Sequence, residues 1–235
     1  MQKFNATVLQ IYFGWLNMQH CCNNMFTSLF TRKPSAFEAH SLSALAAISQ
    51  QGINLVHHQR VVDEDVHLFA STLMANNFNG IDAVVTADSV KEVVANELDK
   101  SAVHTSGKLT LCDDMVSLTR LFLSITQKQQ TRLLLKIVSD DACRKFHTDR
   151  YDLRLLCTYV GSGTEWIEDR YVNRNSLVGG NNDSIIKDLN KIKTMKPFEV
   201  GILKGEADNK GKGVVHRSPP IQHKNEKRLL LRLDY

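Results

Sequence analysis

The hydrophobic positions between residues 36 and 130 recur mainly every three or four residues, which is the period of one face of a helix. The three clearest stripes are Val66, Phe69, Ala70, Leu73 and Met74; Val90, Val93, Val94 and Leu98; and Leu111, Met115, Leu118, Phe122 and Ile125. Asp63 precedes the first stripe, where an N-cap is favoured. An alanine-rich stretch at 41–50 stops before Gly52, as helices commonly do. We therefore predict that residues 36–130 form a mainly helical support.

The hydrophobic period changes after residue 130. Short apolar runs with strand character follow at 131–138, 153–160, 198–204, 214–216 and 227–235. Clusters of Gly, Asn and Pro separate these runs, as turns require. Helices followed by strands predict an α+β protein, in which N-terminal helices pack on a C-terminal jelly-roll-like barrel formed by residues 131–235.

The first 35 residues differ from the remainder because they are rich in Asn, Gln and aromatic residues. We interpret residues 1–35 as an N-terminal extension that packs loosely, and residues 36–235 as a single domain. Asn5, Gln10 and Asn17 interrupt the apolar stretch of the extension, which disfavours an export signal. The five cysteines form no CxxC pair, so reduced thiols in the cytoplasm are expected.

Composition and charge exclude several classes of protein. The 235 residues are 43% hydrophobic and 23% charged, which is typical of a soluble globular protein. No apolar run approaches the roughly 18 residues of a membrane-spanning helix, so we expect no membrane partner. The net charge of +4 is too small to indicate binding to nucleic acid. Lysines concentrated in the C-terminal half indicate either a solvated face or a mildly positive mouth that attracts anionic small molecules.

The candidate chemistry lies in three separated places of the C-terminal part. His147 and Asp149 are two residues apart, so on an extended chain both side chains face one side. His216 follows far downstream, and Arg228 opens the last strand. Two imidazoles and one carboxylate on one face of Fe(II) leave positions open for substrate and oxygen. An arginine on a neighbouring strand binds the distal carboxylate of a 2-oxo acid through two parallel hydrogen bonds.

Less specific interpretations of these residues remain open. His216 is also explained as a loop histidine bonded to backbone, and Arg228 as a surface partner of Asp234 or Glu226. Arg217 is a rival anion-binding residue beside His216. A separate zinc site would use His57, His58 and His67, but this trio lacks a carboxylate or thiolate at ligand spacing.

The sequence resembles the double-stranded β-helix of iron(II)- and 2-oxoglutarate-dependent oxygenases over about the last 95 residues. The matching stretches are FHTD at 146–149, RLLCTYVGSGTEW at 154–166, FEVGILKGE at 198–206, GVVHRSPP at 213–220 and KRLLLRLDY at 227–235. This resemblance implies that His147, Asp149 and His216 bind iron and that Arg228 binds 2-oxoglutarate. It also implies, more weakly, that the Tyr159 hydroxyl supports the same carboxylate.

The same stretches resemble more closely a bacterial family of unknown function, DUF1826, from about residue 40 to the end. The segments that carry this resemblance are DDACRKFHTD, LRLLCTYVGSGTEW, ILKGE, HRSPP and RLLLRLD. The family brings no established activity with it.

Two main functions follow as hypotheses. The first is a non-haem Fe(II)- and 2-oxoglutarate-dependent dioxygenase, whose partners are that small-molecule cosubstrate and a primary substrate that the sequence does not name. The alternative is a non-catalytic protein in which the same three ligands bind zinc. A third hypothesis is an interaction module that retains only a vestige of the site.

Overall fold

The computed structural model describes residues 35–76, 78–101, 106–140, 143–207 and 213–235. The extension predicted for residues 1–35 therefore lies outside the described residues, apart from Ser35. No helix within the described ranges is long and apolar enough to cross a membrane.

Three helices of the described residues form where the hydrophobic stripes predict them, and a fourth, short helix forms outside the stripes. They are α1 (Glu64–Ala75), α2 (Val90–Asp99), α3 (Gly107–Thr126) and the short α4 (Asn182–Ile185). Asp63 caps α1, because its Oδ1 accepts a hydrogen bond from the Val66 backbone N–H at 3.0 Å. The alanine-rich segment forms a 3₁₀ helix, Ser43–Ser49, and Gly52 follows with φ of +84°.

Ten strands lie within the described residues. They are β1 (Ala36–Glu38), β2 (Leu55–His58), β3 (Ile81–Thr86), β4 (Gln130–Val138), β5 (Leu153–Val160), β6 (Glu165–Ile167), β7 (Lys193–Thr194), β8 (Val200–Lys204), β9 (Val215–Arg217) and β10 (Arg228–Asp234). Seven of them form a large sheet in the order β1-β2-β8-β5-β10-β4-β3, in which only the β1–β2 pair is parallel. The other three form a small antiparallel sheet in the order β7-β6-β9.

From β4 onward the chain alternates between the two sheets. After β4 in the large sheet, the chain forms a bridge at His147 beside the small sheet and then adds β5 to the large sheet. It next adds β6 and β7 to the small sheet, β8 to the large sheet, β9 to the small sheet and β10 to the large sheet. This alternation is the winding of a jelly roll, so the predicted α+β class is confirmed. The stretch predicted as mainly helical contributes more than helices, because β1, β2 and β3 extend the large sheet at its two ends.

The helices cover one face of the large sheet. On β10 the side chains alternate, so that Leu229, Leu231 and Leu233 lie in the main hydrophobic core with residues of α1 and α3 such as Phe69 and Met115. These three leucines therefore pack against the helices. The other face of β10 therefore turns towards the small sheet.

A second apolar cluster lies between the two sheets. It joins residues of the large sheet to residues of the small sheet and its flanks: Leu55, Leu156, Trp166, Met195, Leu203 and Val214. Side chains of β5 and β10 that project from the same face as Leu156 consequently point into the barrel. This interior face holds the candidate site.

Candidate metal centre and anion site

The structure brings His147, Asp149 and His216 together. The His147 N–H donates to the His216 carbonyl, and the reverse bond has the same length, 3.0 Å. The segment that contains His147 is thereby held beside β9, as a further strand of the small sheet would be. One potential ligand atom from each of the three residues lies within 4.8 Å of the others, which is close enough for one metal ion.

Both imidazoles turn their Nε2 atom towards the cluster and their Nδ1 atom towards a backbone carbonyl. The Nδ1 atom of His147 lies 2.8 Å from the Lys145 carbonyl, and that of His216 lies 3.1 Å from the Val214 carbonyl. Because a carbonyl only accepts hydrogen bonds, each Nδ1 carries the proton and each Nε2 keeps a free lone pair. Each Nε2 faces Asp149, at 3.8 Å from Oδ1 for His147 and 3.4 Å from Oδ2 for His216.

Burial keeps His216 in the form that binds metals. Desolvation lowers the pKa of His216 to about 4, although the Asp149 carboxylate acts in the opposite direction. The ring is therefore neutral near pH 7, and no proton competes with a metal ion for its Nε2.

The Asp149 carboxylate has one bonded and one unbonded oxygen. Its Oδ1 accepts a hydrogen bond from Arg154 Nη1 at 2.7 Å. Its Oδ2 is buried and accepts none. An unpaired buried carboxylate oxygen is costly, and the Asp149 carboxylate lies between the two imidazole rings, so the donor set fits a divalent metal ion.

Arg228 is a second buried residue of the barrel with polar atoms that lack hydrogen-bond partners. Its side chain is 1% exposed, and burial lowers its pKa to about 10. Nη2 donates to the Thr164 hydroxyl at 3.2 Å, whereas Nε and Nη1 have no hydrogen-bond partner. A buried cation with two unused donors is complementary to a carboxylate.

The surface ion pairs considered for Arg228 do not form. Among the described residues no carboxylate lies within ion-pair distance of its guanidinium. Glu226 instead accepts the Ser162 backbone N–H at 2.5 Å, and Asp234 accepts Arg154 Nε at 2.6 Å.

A glycine turn allows Thr164 to reach Arg228. Gly161 ends β5 with φ of +83°, a conformation that side chains disfavour. A Cβ atom at Gly161 would lie 2.4 Å from the Lys227 carbonyl oxygen and 2.9 Å from the Arg228 Cβ. The turn therefore passes directly over the start of β10 and carries Thr164 to the guanidinium.

The structure does not bring Tyr159 to this site. Its ring is buried in the main core against Phe198, and its hydroxyl donates to Asp114 Oδ2 at 2.8 Å. Along β5, Arg154 and Leu156 face the barrel interior, so Tyr159, at odd separations from both, faces the helices. Thr164 supplies the hydroxyl beside Arg228 instead.

The rival anion-binding arginine and the rival zinc-binding histidines form other contacts. Arg217 donates from Nε to Glu165 at 2.6 Å, and its guanidinium lies over the Phe146 ring, away from the cluster. His57 Nδ1 lies 2.6 Å from Glu199 Oε1, whereas His58 Nδ1 bonds the Ala39 carbonyl on the opposite face of β2. The trio that includes His67 therefore forms no metal site within the described part of the chain.

Sequence reasoning missed Arg154 and Thr164. A signal for Arg154 was available, because the alternation along β5 places it on the same face as Leu156. Thr164 follows a Gly-Ser-Gly turn, and its position beside Arg228 depends on how that turn folds back.

One family model matches most of the chain. The family model described as "Protein of unknown function (DUF1826)" matches residues 39–234. No curated protein matches the sequence.

Several solved structures are similar at low identity. The dioxygenase for auxin oxidation 1 from Arabidopsis thaliana, in a binary complex with 2-oxoglutarate, is 11% identical over 85% of this chain and 91% of its own, with a TM-score of 0.45. The dioxygenase for auxin oxidation in rice is 10% identical over 85% and 81%, with a TM-score of 0.45. A Pseudomonas putida prolyl-4-hydroxylase is 11% identical over 83% and 97%, with a TM-score of 0.43.

Proposed function

The chain belongs to the DUF1826 family, and we propose that it is an Fe(II)- and 2-oxoglutarate-dependent dioxygenase. The observation that carries this proposal is that two complementary sites share one barrel interior. The Asp149 oxygen beside two imidazoles lacks a cation, and the buried Arg228 lacks an anion. A metal ion and a dicarboxylic 2-oxo acid together would satisfy both.

The roles of the residues follow from their free atoms. His147 and His216 would bind the metal through Nε2, and Asp149 would bind it through Oδ2. Arg228 would hold the distal carboxylate of 2-oxoglutarate through its unused N–H groups, while the Thr164 hydroxyl orients the guanidinium. When bound, iron supplies the activation of oxygen that the oxidative decarboxylation of 2-oxoglutarate requires.

Apolar side chains also fill the space between the two sheets. Leu156 and Trp166 are buried between the sheets, and Leu230 packs against them. An apolar interior would strengthen the ion pair that Arg228 forms with a carboxylate.

A zinc-binding protein without oxygenase activity is the second candidate. The same two histidines and one aspartate would hold zinc with one water. The burial of Arg228 favours the dioxygenase, because a zinc site alone leaves that cation without an anion at considerable energetic cost. We further propose a cytoplasmic location, on the sequence grounds given above, and 2-oxoglutarate as the small-molecule partner.

An anaerobic titration tests the proposal. Metal-free protein is loaded with Fe(II) and titrated with 2-oxoglutarate while its visible absorption is recorded. A weak charge-transfer band that needs both iron and 2-oxoglutarate is expected, because the 2-oxo acid would chelate the metal. Zn(II) in place of Fe(II) is the matched control and gives no band.

Turnover separates a working enzyme from a vestigial site. Admission of oxygen to the loaded protein should release succinate, even slowly and without a primary substrate. Tight iron binding with neither the band nor succinate would exclude the dioxygenase and leave the metal-binding protein.

A further inference from the structure

Four charged side chains form a continuous chain that starts at the candidate metal ligand. Asp149 Oδ1 accepts Arg154 Nη1 at 2.7 Å, and Asp234 Oδ1 accepts Arg154 Nε at 2.6 Å. Arg232 Nε lies 2.9 Å from Asp234 Oδ2, as an ion pair without hydrogen-bond geometry. Asp149, Arg154 and Asp234 are buried, and the two cations and two anions balance. Such a chain is costly to bury unless its geometry is maintained throughout.

The surroundings of Arg154 hold it in one position. The Tyr151 ring lies 4.9 Å from the guanidinium, and the Asp234 backbone carbonyl accepts the Thr131 hydroxyl at 2.8 Å. The Asp149 carbonyl is held as well, because it accepts the Glu206 N–H at 2.8 Å. A planar guanidinium donates from two different nitrogens to two separate carboxylates, which the single ammonium of a lysine reproduces only in part.

This arrangement restricts how Asp149 can bind a metal. A free carboxylate binds a metal through one oxygen or through both, and the second mode uses one more coordination position. Oδ1 accepts the Arg154 hydrogen bond and lies 3.8 Å from His147 Nε2, whereas Oδ2 accepts no hydrogen bond and lies 3.4 Å from His216 Nε2. Binding through both oxygens would make Oδ1 share its electrons between the metal and Arg154, which weakens a buried, charge-assisted hydrogen bond.

We propose that Arg154, anchored by Asp234, is a positioning residue that limits Asp149 to one-oxygen coordination and so keeps three metal positions open. The inference rests on the proposed metal site. It concerns Arg154 and Asp234, which are neither metal ligands nor part of the cosubstrate site. Two open positions suffice for a chelating 2-oxo acid, and the third is the one that oxygen needs. Loss of Arg154 would close that third position.

Counting metal-bound water tests this role without any turnover. The metal-free protein is loaded with Mn(II), and the line broadening of its electron paramagnetic resonance signal in ¹⁷O-labelled water reports the number of water ligands. The wild-type protein should hold three, because six positions less three protein ligands leave three. The double variant Arg154→Met with Asp234→Leu should hold two, because Asp149 is then free to bind through both oxygens.

Two further variants sharpen the test. Arg154→Lys should retain three waters, because its ammonium still donates to Oδ1. Should the double variant fail to fold, as judged by circular dichroism, Arg154→Met alone replaces it, since Asp234 then keeps Arg232 as its partner. The matched control is Arg217→Leu with Glu165→Leu, which removes a 2.6 Å ion pair next to His216 but outside the cluster and should leave three waters.

Each outcome decides the question. Three waters in the double variant, or in Arg154→Met alone, would overturn the proposal. So would a folded Arg154→Met variant that no longer binds Mn(II), because Arg154 would then hold the site together instead of restricting it. Failure of the proposed function is a different result, in which the wild-type protein binds no Mn(II) or His216→Ala binds it equally well.

Discussion

Arg228 donates a hydrogen bond of 3.2 Å to the Thr164 hydroxyl, and this neutral group is the partner of a fully buried guanidinium. Thr164 directly precedes β6 and Arg228 begins β10, so the two residues are 64 positions apart in the chain. A hydroxyl orients a cation but does not neutralise it, so the place beside Thr164 suits an anionic ligand.

Removal of Arg228 should weaken the binding of 2-oxoglutarate and leave metal binding intact. A buried carboxylate without its partner costs roughly 2–5 kcal/mol. Arg228→Ala should therefore raise the Kd of 2-oxoglutarate about thirtyfold or more. Calorimetric titration of the Zn(II)-loaded protein measures this Kd without turnover, and Arg228→Lys should recover only part of the loss.

Arg217 is the matched control for Arg228. It is close to His216 in sequence but forms its ion pair with Glu165. Arg217→Ala should leave the Kd of 2-oxoglutarate unchanged. The opposite pattern, in which Arg217→Ala abolishes binding and Arg228→Ala does not, would show that Arg217 binds the carboxylate and that our assignment of Arg228 is wrong.

Each of His147→Ala, Asp149→Ala and His216→Ala should remove most of the bound metal while the fold persists. Loss of residues that merely support metal ligands weakens affinity by about 10–100-fold, so loss of a ligand should exceed that range. Metal content after dialysis, measured by mass spectrometry, provides the readout. His223→Ala, at an exposed position, serves as the control, and equal metal content in it and in His216→Ala would contradict the site.

Tyr159→Phe should leave the binding of 2-oxoglutarate unchanged within about twofold while it lowers the free energy of unfolding by about 1 kcal/mol. The reason is that the hydroxyl donates to Asp114 on the helix side of the sheet. Denaturant unfolding and calorimetric titration of the same preparation separate the two effects. A large loss of affinity for 2-oxoglutarate in this variant would show that the Tyr159 hydroxyl does contribute to the cosubstrate site.

Asp114 should be a major contributor to stability. It accepts Arg60 Nη1 at 2.5 Å and Nη2 at 3.1 Å, and the two side chains are only 15% and 19% exposed. Asp114→Ala leaves Arg60 without its anion and should lower the free energy of unfolding by about 3–5 kcal/mol. Asp113→Ala, at a neighbouring side chain that is 69% exposed, should change it by less than about 0.5 kcal/mol.

Local pattern was sufficient for most secondary structure and for the metal candidates. The spacing of Val66, Phe69 and Leu73 predicts α1, because a helix presents every third or fourth residue to one side whatever it packs against. The H-x-D spacing of His147 and Asp149 likewise carries over from sequence to structure, because an extended chain turns alternate side chains to the same face.

Only the tertiary structure decided which face of each strand points into the barrel and what each charge meets there. Tyr159 and Arg154 lie on the same strand, yet one turns to the helices and the other to Asp149. Arg228 becomes an unpaired buried cation because Glu226 and Asp234 are bonded to other groups. These outcomes depend on strand pairing and on partners distant in the chain, and a local sequence pattern contains neither.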